Sequence, residues 1–225
     1  MENGNTEEVI KQFDRIALLQ DRWDHNQRYQ QYLLKNIPRY CTCILDVGCG
    51  TGELTKRLIP YAHEIIGIDV SENMLREAQR RNGHEKIRYI KIPVETYLQE
   101  TDKKFDVIIS IAALHHMHEE NILKIMKAKL RGHGKILIVD LVKSERVMEW
   151  FLSILAALVN PIIRLLMDGR ITVTKEEKEA WAGHFQYDTY VTLREVQRIV
   201  KASLGAAAIR RHFFWRYSIV YTHGE

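Results

Sequence analysis

Three glycines at alternate positions, in Leu45-Asp-Val-Gly-Cys-Gly-Thr-Gly52, are the feature of this 225-residue chain best suited to holding a ligand. A glycine has no Cβ to keep the backbone away from a bound molecule, so Gly48, Gly50 and Gly52 allow a sharp turn and a close approach. The flanking residues narrow what can approach. A dinucleotide fingerprint begun at Gly48 needs glycine at 53, where Glu53 stands. A phosphate-binding loop needs Gly-Lys-Ser/Thr at the start of the helix, and this segment has none. Glu53 would also repel a pyrophosphate placed at a helix N-terminus. The loop therefore suits a ligand without phosphate.

A second set of reactive side chains, His115, His116 and His118, lies further along in Leu-His-His-Met-His. Histidine titrates near neutrality and His115 is the candidate general base. The competing reading is a turn whose histidines orient backbone or cap a helix. A metal site built from these histidines and Glu119 finds no support in Cys41 and Cys43, whose Cys-x-Cys spacing is not that of zinc sites. No metal is expected, and the cysteines at 41, 43 and 49 read as core packing.

These residues must be positioned by regular elements, and the pattern predicts them. Residues 7–36 read as two helices ending before Pro38, which disfavours helix at the residue before it. The apolar run Cys43–Val47 then enters the glycine cluster as a buried strand would. Further strands are expected at Glu64–Ile68, Ile87–Ile92, Phe105–Ile111 and Lys135–Val139, the last after a turn at Arg131–Gly134. Helices are expected at Glu53–Pro60, at Ser71–Asn82 with Ser71 as cap and Gly83 as stop, and at Glu119–Leu130. This alternation predicts an α/β fold, a mostly parallel sheet with helices on both faces. Its ligands lie outside the carboxyl ends of the strands, where the winding reverses. Thr192-Leu-Arg-Glu195 is a capping box for a helix that stops near Gly205. Ala206–His212 and Trp215–Thr222 read as two closing strands.

The segment 43–140 resembles the class I S-adenosylmethionine-dependent methyltransferases, and the resemblance runs through motifs in their usual order. Asp46 stands two residues before the first glycine, and Ile68-Asp69-Val-Ser ends the second strand where that family grips both ribose hydroxyls. A carboxylate can accept two hydroxyl donors at once. Phe105–Met117 resembles the fourth-strand segment and Leu130–Ile138 the entry to the fifth. The resemblance implies a Rossmann-like seven-stranded sheet with the last strand antiparallel, and S-adenosylmethionine as cofactor. It implies cofactor contacts from Asp46, Gly48, Cys49, Gly50, Gly52, Asp69, Val70, Met74, Val94, Glu95 and Ser110. The chain departs from the family at Ile92-Pro-Val-Glu95, where proline replaces the aspartate that binds the adenine amine, leaving Glu95 or backbone near Val94 to do so. Ser110-Ile-Ala-Ala113 replaces the Asn-Pro-Pro-Tyr of enzymes that methylate planar amines, which weighs against a DNA-base or glutamine substrate.

Four regions follow: a helical lid at 1–40, the cofactor core at 41–142, an inserted substrate cap at 143–192, and a C-terminal helix with closing strands at 193–225. Tyr29, in Trp23-Asp-His-Asn-Gln-Arg-Tyr29, is the candidate lid residue, since aromatic faces attract a cation. Residues 147–167 are apolar nearly all round and read as a pocket wall through Leu155, as a dimer face, or as a membrane-surface helix. Trp181, His184 and Tyr187, with His116, are the remaining substrate candidates. The longest apolar stretch is shorter than the ~20 residues of a membrane-spanning helix. A net charge of +4 is too small to argue for nucleic acid. Three cysteines and an acidic start without a secretory pattern point to the cytoplasm. The expected activity is methyl transfer to a small, partly apolar metabolite. The alternatives are an RNA or protein methyltransferase, a cofactor-binding regulatory subunit, and a dehydrogenase.

Overall fold

A computed structural model describes residues 25–117, 119–143, 190–213 and 215–224, together with residues 11, 14 and 175. Its centre is a seven-stranded sheet in the order β3-β2-β1-β4-β5-β7-β6. The strands are β1 (Cys41–Val47), β2 (Ala62–Asp69), β3 (Ile87–Lys91), β4 (Phe105–Ile111), β5 (Leu130–Leu141), β6 (Ala208–His212) and β7 (Arg216–Thr222). The pairs among β1 to β5 are all parallel, whereas β7 runs antiparallel to both β5 and β6. Successive side chains of a strand point to opposite faces. In β1, Cys43, Leu45 and Val47 therefore enter one apolar layer while Ile44 enters the other. Both layers are closed, which is why the central strands read as unbroken apolar runs rather than alternating ones.

The first layer lies under α4 (Val94–Glu100), α5 (Glu119–Ala128) and α6 (Leu193–Ser203), through Leu98, Ile122, Met126, Val196 and Val200. The second lies under α1 (His25–Leu34) and α2 (Glu53–Arg57), through Leu33, Leu54 and Leu58. Beside α2, α3 (Glu72–Asn82) packs on β2 and β3. The chain reverses its winding between β1 and β4, and ligands of such sheets lie at that switch point.

Three elements differ from the sequence-based expectation. The helix from Glu53 ends at Arg57 and gives way to a 3-10 turn over Ile59–Tyr61, because Pro60 has no N–H to continue the ladder. Residues Arg131–Gly134 belong to β5, which starts at Leu130. A register irregularity opposite Phe105 and Val107, with His133 at φ 61°, absorbs the expected turn as a bulge. Helix α4 has no counterpart in the sequence reading. Pro93 precedes its first residue, and Val94, Tyr97 and Leu98 form its buried face. Among the described residues no helix is long and apolar enough to cross a membrane.

Candidate functional site

The glycine loop leaves β1 and is pinned at once to the neighbouring strand, where Gly48 N–H and Cys49 N–H both donate to the Ile68 carbonyl, at 2.9 and 3.0 Å. Gly48, Gly50 and Gly52 all have φ between 51° and 79°, a region that side chains disfavour. They differ in what surrounds them. A Cβ on Gly48 would overlap Ala113 Cβ, and one on Gly52 would overlap the Tyr89 hydroxyl. Gly50 faces open space, with only Met74 Sδ at 3.9 Å. Gly48 and Gly52 thus let neighbouring elements close on the loop, and Gly50 keeps the backbone clear for a ligand.

Asp69 ends β2 beside that opening. Its carboxylate takes Gly50 N–H on Oδ2 and Ser71 N–H on Oδ1, each at 2.9 Å. Burial raises the Asp69 carboxyl above the ordinary range, although the N–H groups of Ser71, Gly50 and Val70 pull it back. An acceptor oriented in advance and still partly exposed has the chemistry to take ribose hydroxyls. Gly50, Asp69 and Met74 thus border one opening, a cradle whose chemistry fits the phosphate-free nucleoside of S-adenosylmethionine.

Asp46 occupies a different place. It is 1% exposed, and Thr55 Oγ1 of α2 donates to its Oδ2 at 2.6 Å. Burial pushes its carboxyl up to about 7, with Thr55 partly opposing and Asp69 adding to the rise. The structure therefore shows Asp46 tying the loop to the following helix. Cys49 is buried too, and burial first, then the charges of Asp69 and Asp46, hold its thiol well above the usual range. Ser110 is buried too, with its hydroxyl donating to the Val47 carbonyl at 2.9 Å and joining the tips of β4 and β1.

The start of α3 forms the far wall. Ser71 Oγ accepts Met74 N–H at 3.1 Å as the helix cap and donates to Asp14 Oδ1 at 2.5 Å. Asn73 N–H also donates to Asp14 Oδ1, at 3.2 Å. Asp14 is thus a second cap on this helix, brought by a segment distant in sequence, and no local spacing announces it. Val94 is buried at the first turn of α4, and Glu95 beside it is half-buried.

At the tip of β4 the backbone is strained, with Ala112 at φ 53°, a conformation that costs a residue with a Cβ about 1 kcal/mol or more. A 3-10 turn over Leu114–His116 follows. His115 is buried in it, and its Nδ1 lies 2.6 Å from Asp140 Oδ1 at the end of β5. The His116 ring lies against that of His115, centroids 3.9 Å apart, and Tyr190 lies 5.5 Å away on the same scale. Asp140 escaped the sequence reading, though an acid at the carboxyl end of a strand in Lys-Ile-Leu-Ile-Val-Asp140 is a readable signal.

Tyr29 is not arranged as a lid over the cradle. Its ring is 5% exposed and packs against His212, and its hydroxyl donates to the Phe213 carbonyl. The apolar face of α1 covers the sheet, and Tyr29 belongs to that face with Leu33. His118, Leu155, Trp181, His184 and Tyr187 lie outside the described residues. Among the described residues, no group of three or more His, Cys, Asp or Glu is arranged to hold a metal ion.

Known proteins share this fold. Their similarity supports a class I S-adenosylmethionine-dependent methyltransferase. Its residues 44–134 match the methyltransferase domain family. It is 29% identical over 205 residues to an uncharacterized methyltransferase of Mycobacterium tuberculosis, covering 88% of this chain and 96% of that one. To a ubiquinone biosynthesis O-methyltransferase of Idiomarina loihiensis it is 31% identical over 117 residues, 51% of this chain and 47% of that one. The fold is similar to that of DhpI in its complex with S-adenosylhomocysteine, with a TM-score of 0.67 at 16% identity over the full length of both. It is also similar to the N-methyltransferase NodS of Bradyrhizobium japonicum, with a TM-score of 0.59 at 14% identity over 97% of this chain and 100% of that one.

Proposed function

We propose that this methyltransferase acts on a small, partly apolar metabolite. The observation that carries the reading is the bridge between Lys143 and Thr192, the two ends of the expected cap. β5 ends at Leu141, Lys143 forms a parallel bridge with Thr192, and both ends of the stretch between them are thereby held at the carboxyl edge beside β4 and β5. Residues 143–192, with Leu155, Trp181, His184 and Tyr187, are proposed to cap an acceptor next to the cofactor. The names of similar proteins, a ubiquinone O-methyltransferase and NodS among them, support a small acceptor. Three free, buried thiols suit a reducing compartment such as the cytoplasm.

Bound S-adenosylmethionine supplies an electrophilic methyl group on a sulfonium. The protein's own part is to hold the nucleoside through Gly50, Asp69 and Met74 and to set the acceptor in line, where orientation supplies most of the rate.

The test is a screen of metabolite pools with methyl-labelled cofactor, run beside RNA and protein fractions. Label in the small-molecule fraction is expected; label confined to RNA or protein would replace this reading with the macromolecular one. Binding of S-adenosylhomocysteine without transfer to any fraction would make the protein a regulatory subunit. Asp69→Ala should weaken S-adenosylhomocysteine in calorimetry by roughly 10- to 100-fold, the range for losing hydrogen bonds to a charged acceptor. Unchanged affinity would mean the ribose lies elsewhere.

A further inference from the structure

The end of β5 carries an acid that the nucleoside cradle does not use. Asp140 is fully buried, and three donors converge on it. His115 N–H reaches Oδ2 at 2.8 Å, Leu141 N–H reaches Oδ1 at 2.6 Å, and His115 Nδ1 reaches Oδ1 at 2.6 Å. Burial alone would raise this carboxyl, but His115 and the two N–H groups outweigh it and hold Asp140 below the ordinary range. An ionised carboxylate can only accept, so the proton between the two side chains belongs to Nδ1. A neutral imidazole fixed in that tautomer is basic at Nε2.

The turn that carries the ring lies against the glycine loop. Ala113, two residues earlier, is packed so closely on the glycine loop that Gly48 has no room for a Cβ. The turn bearing His115 therefore abuts the cofactor loop at the switch point. Among the described residues, the titratable groups around the pair are His116 of the same turn, Glu119 of α5, Tyr190, Tyr217 of β7 and Glu195 of α6. Burial, and next Asp140, push Glu119 up to about 7.

We infer that Asp140 is a positioning residue that holds His115 as general base, and that the acceptor is accordingly a hydroxyl group. The inference rests on the methyltransferase reading and names its substrate class. A neutral amine attacks with its own lone pair, whereas a hydroxyl methylated without losing its proton would become an oxonium. Here the acceptor O–H proton passes to His115 Nε2 as the oxygen forms its bond to the methyl carbon. The carbon–sulfur bond breaks with its electron pair going to sulfur, leaving a neutral thioether. The imidazolium stands against Asp140 and then releases its proton to water.

The test uses the full chain, S-adenosylmethionine and a series of substituted phenols and catechols whose hydroxyl pKa values fall stepwise. His115→Gln should lower kcat by about 100-fold or more on the least acidic members, with KM little changed, and the deficit should shrink as the hydroxyl becomes more acidic. Asp140→Asn should show the same trend, and Asp140→Glu should recover part of the rate. In the S-adenosylhomocysteine complex, the imidazole nitrogen spectrum should show His115 protonated at Nδ1 at pH 8, a state lost or mixed in Asp140→Asn. Calorimetry with S-adenosylhomocysteine confirms that each variant is folded. A deficit that ignores acceptor acidity, or a wild-type ring protonated at Nε2, would overturn the dyad. Transfer to amines but to no hydroxyl compound would overturn the acceptor class. Failure of the wild type to bind S-adenosylhomocysteine would instead sink the cofactor reading beneath it.

Discussion

At the scale of single residues, Asp46 shows how a buried acid beneath the glycine loop ties stability to pH. In the unfolded chain its carboxyl ionises near its ordinary value of 3.8, and in the folded chain near 7. Between those values the unfolded state binds fewer protons than the folded one, so stability falls as pH rises through this window and levels off above it. Denaturant midpoints measured from pH 4 to 8 should decline accordingly. Asp46→Asn keeps the shape and should flatten the decline in part, since Glu119 is raised to about 7 as well. An equally steep decline in the variant would place the effect elsewhere. In the sequence the spacing of the glycines was legible by itself, whereas Asp69 and Met74 were pointed to by the family resemblance. Asp14, Thr55 and Asp140 were not read, since each acts through a partner that only the fold brings near.

At the scale of elements, the capping box before α6 is a local pattern that the fold leaves intact. Thr192 N–H donates to Glu195 Oε2 at 2.7 Å, and Glu195 N–H donates to Thr192 Oγ1 at 3.3 Å. Thr192→Ala should cost about 1 kcal/mol, which at this chain length lowers Tm by roughly 2–4 °C. A calorimetric scan without any shift would mean that packing of Val196 and Val200 alone holds the helix end. Elements set by such short-range signals were legible. Those set by tertiary contact were not: α4 begins directly after a proline and is only seven residues long, so its register comes from burying Val94, Tyr97 and Leu98. The expected turn at Arg131–Gly134 failed for a related reason. Two glycines signal a break, yet pairing of Leu130 with Phe105 continues the strand and accommodates the irregularity as a bulge.

At the scale of the whole molecule, the three cysteines report on the integrity of both layers. Burial first, then neighbouring charge, raises Cys41 to about 11 and Cys43 to about 12, and Cys49 lies well above its usual value. The thiolate is the reactive form, so a thiol reagent at pH 8 should modify the folded protein far more slowly than the denatured one. All three sites should become reactive together on unfolding. Early release of one alone would reveal a layer that opens independently. The parallel sheet follows from alternating strands and helices and was foreseen, and its seven strands with the last antiparallel were implied by the family resemblance. The contact of α1 with the β6–β7 turn was not, because residues 29 and 213 meet only once the sheet has formed.

The insertion of β7 between β5 and β6 has a consequence for biosynthesis. On the ribosome, the parallel strands β1 to β5 are complete by Leu141, but the partner of β5 begins only at Arg216. Until then Ile136 to Val139 form the margin of a nascent sheet, apolar on both faces and with a row of unanswered amide and carbonyl groups. Such a margin invites pairing with another chain. The interval between making these two strands is therefore when a growing polypeptide of this design has most need of a chaperone.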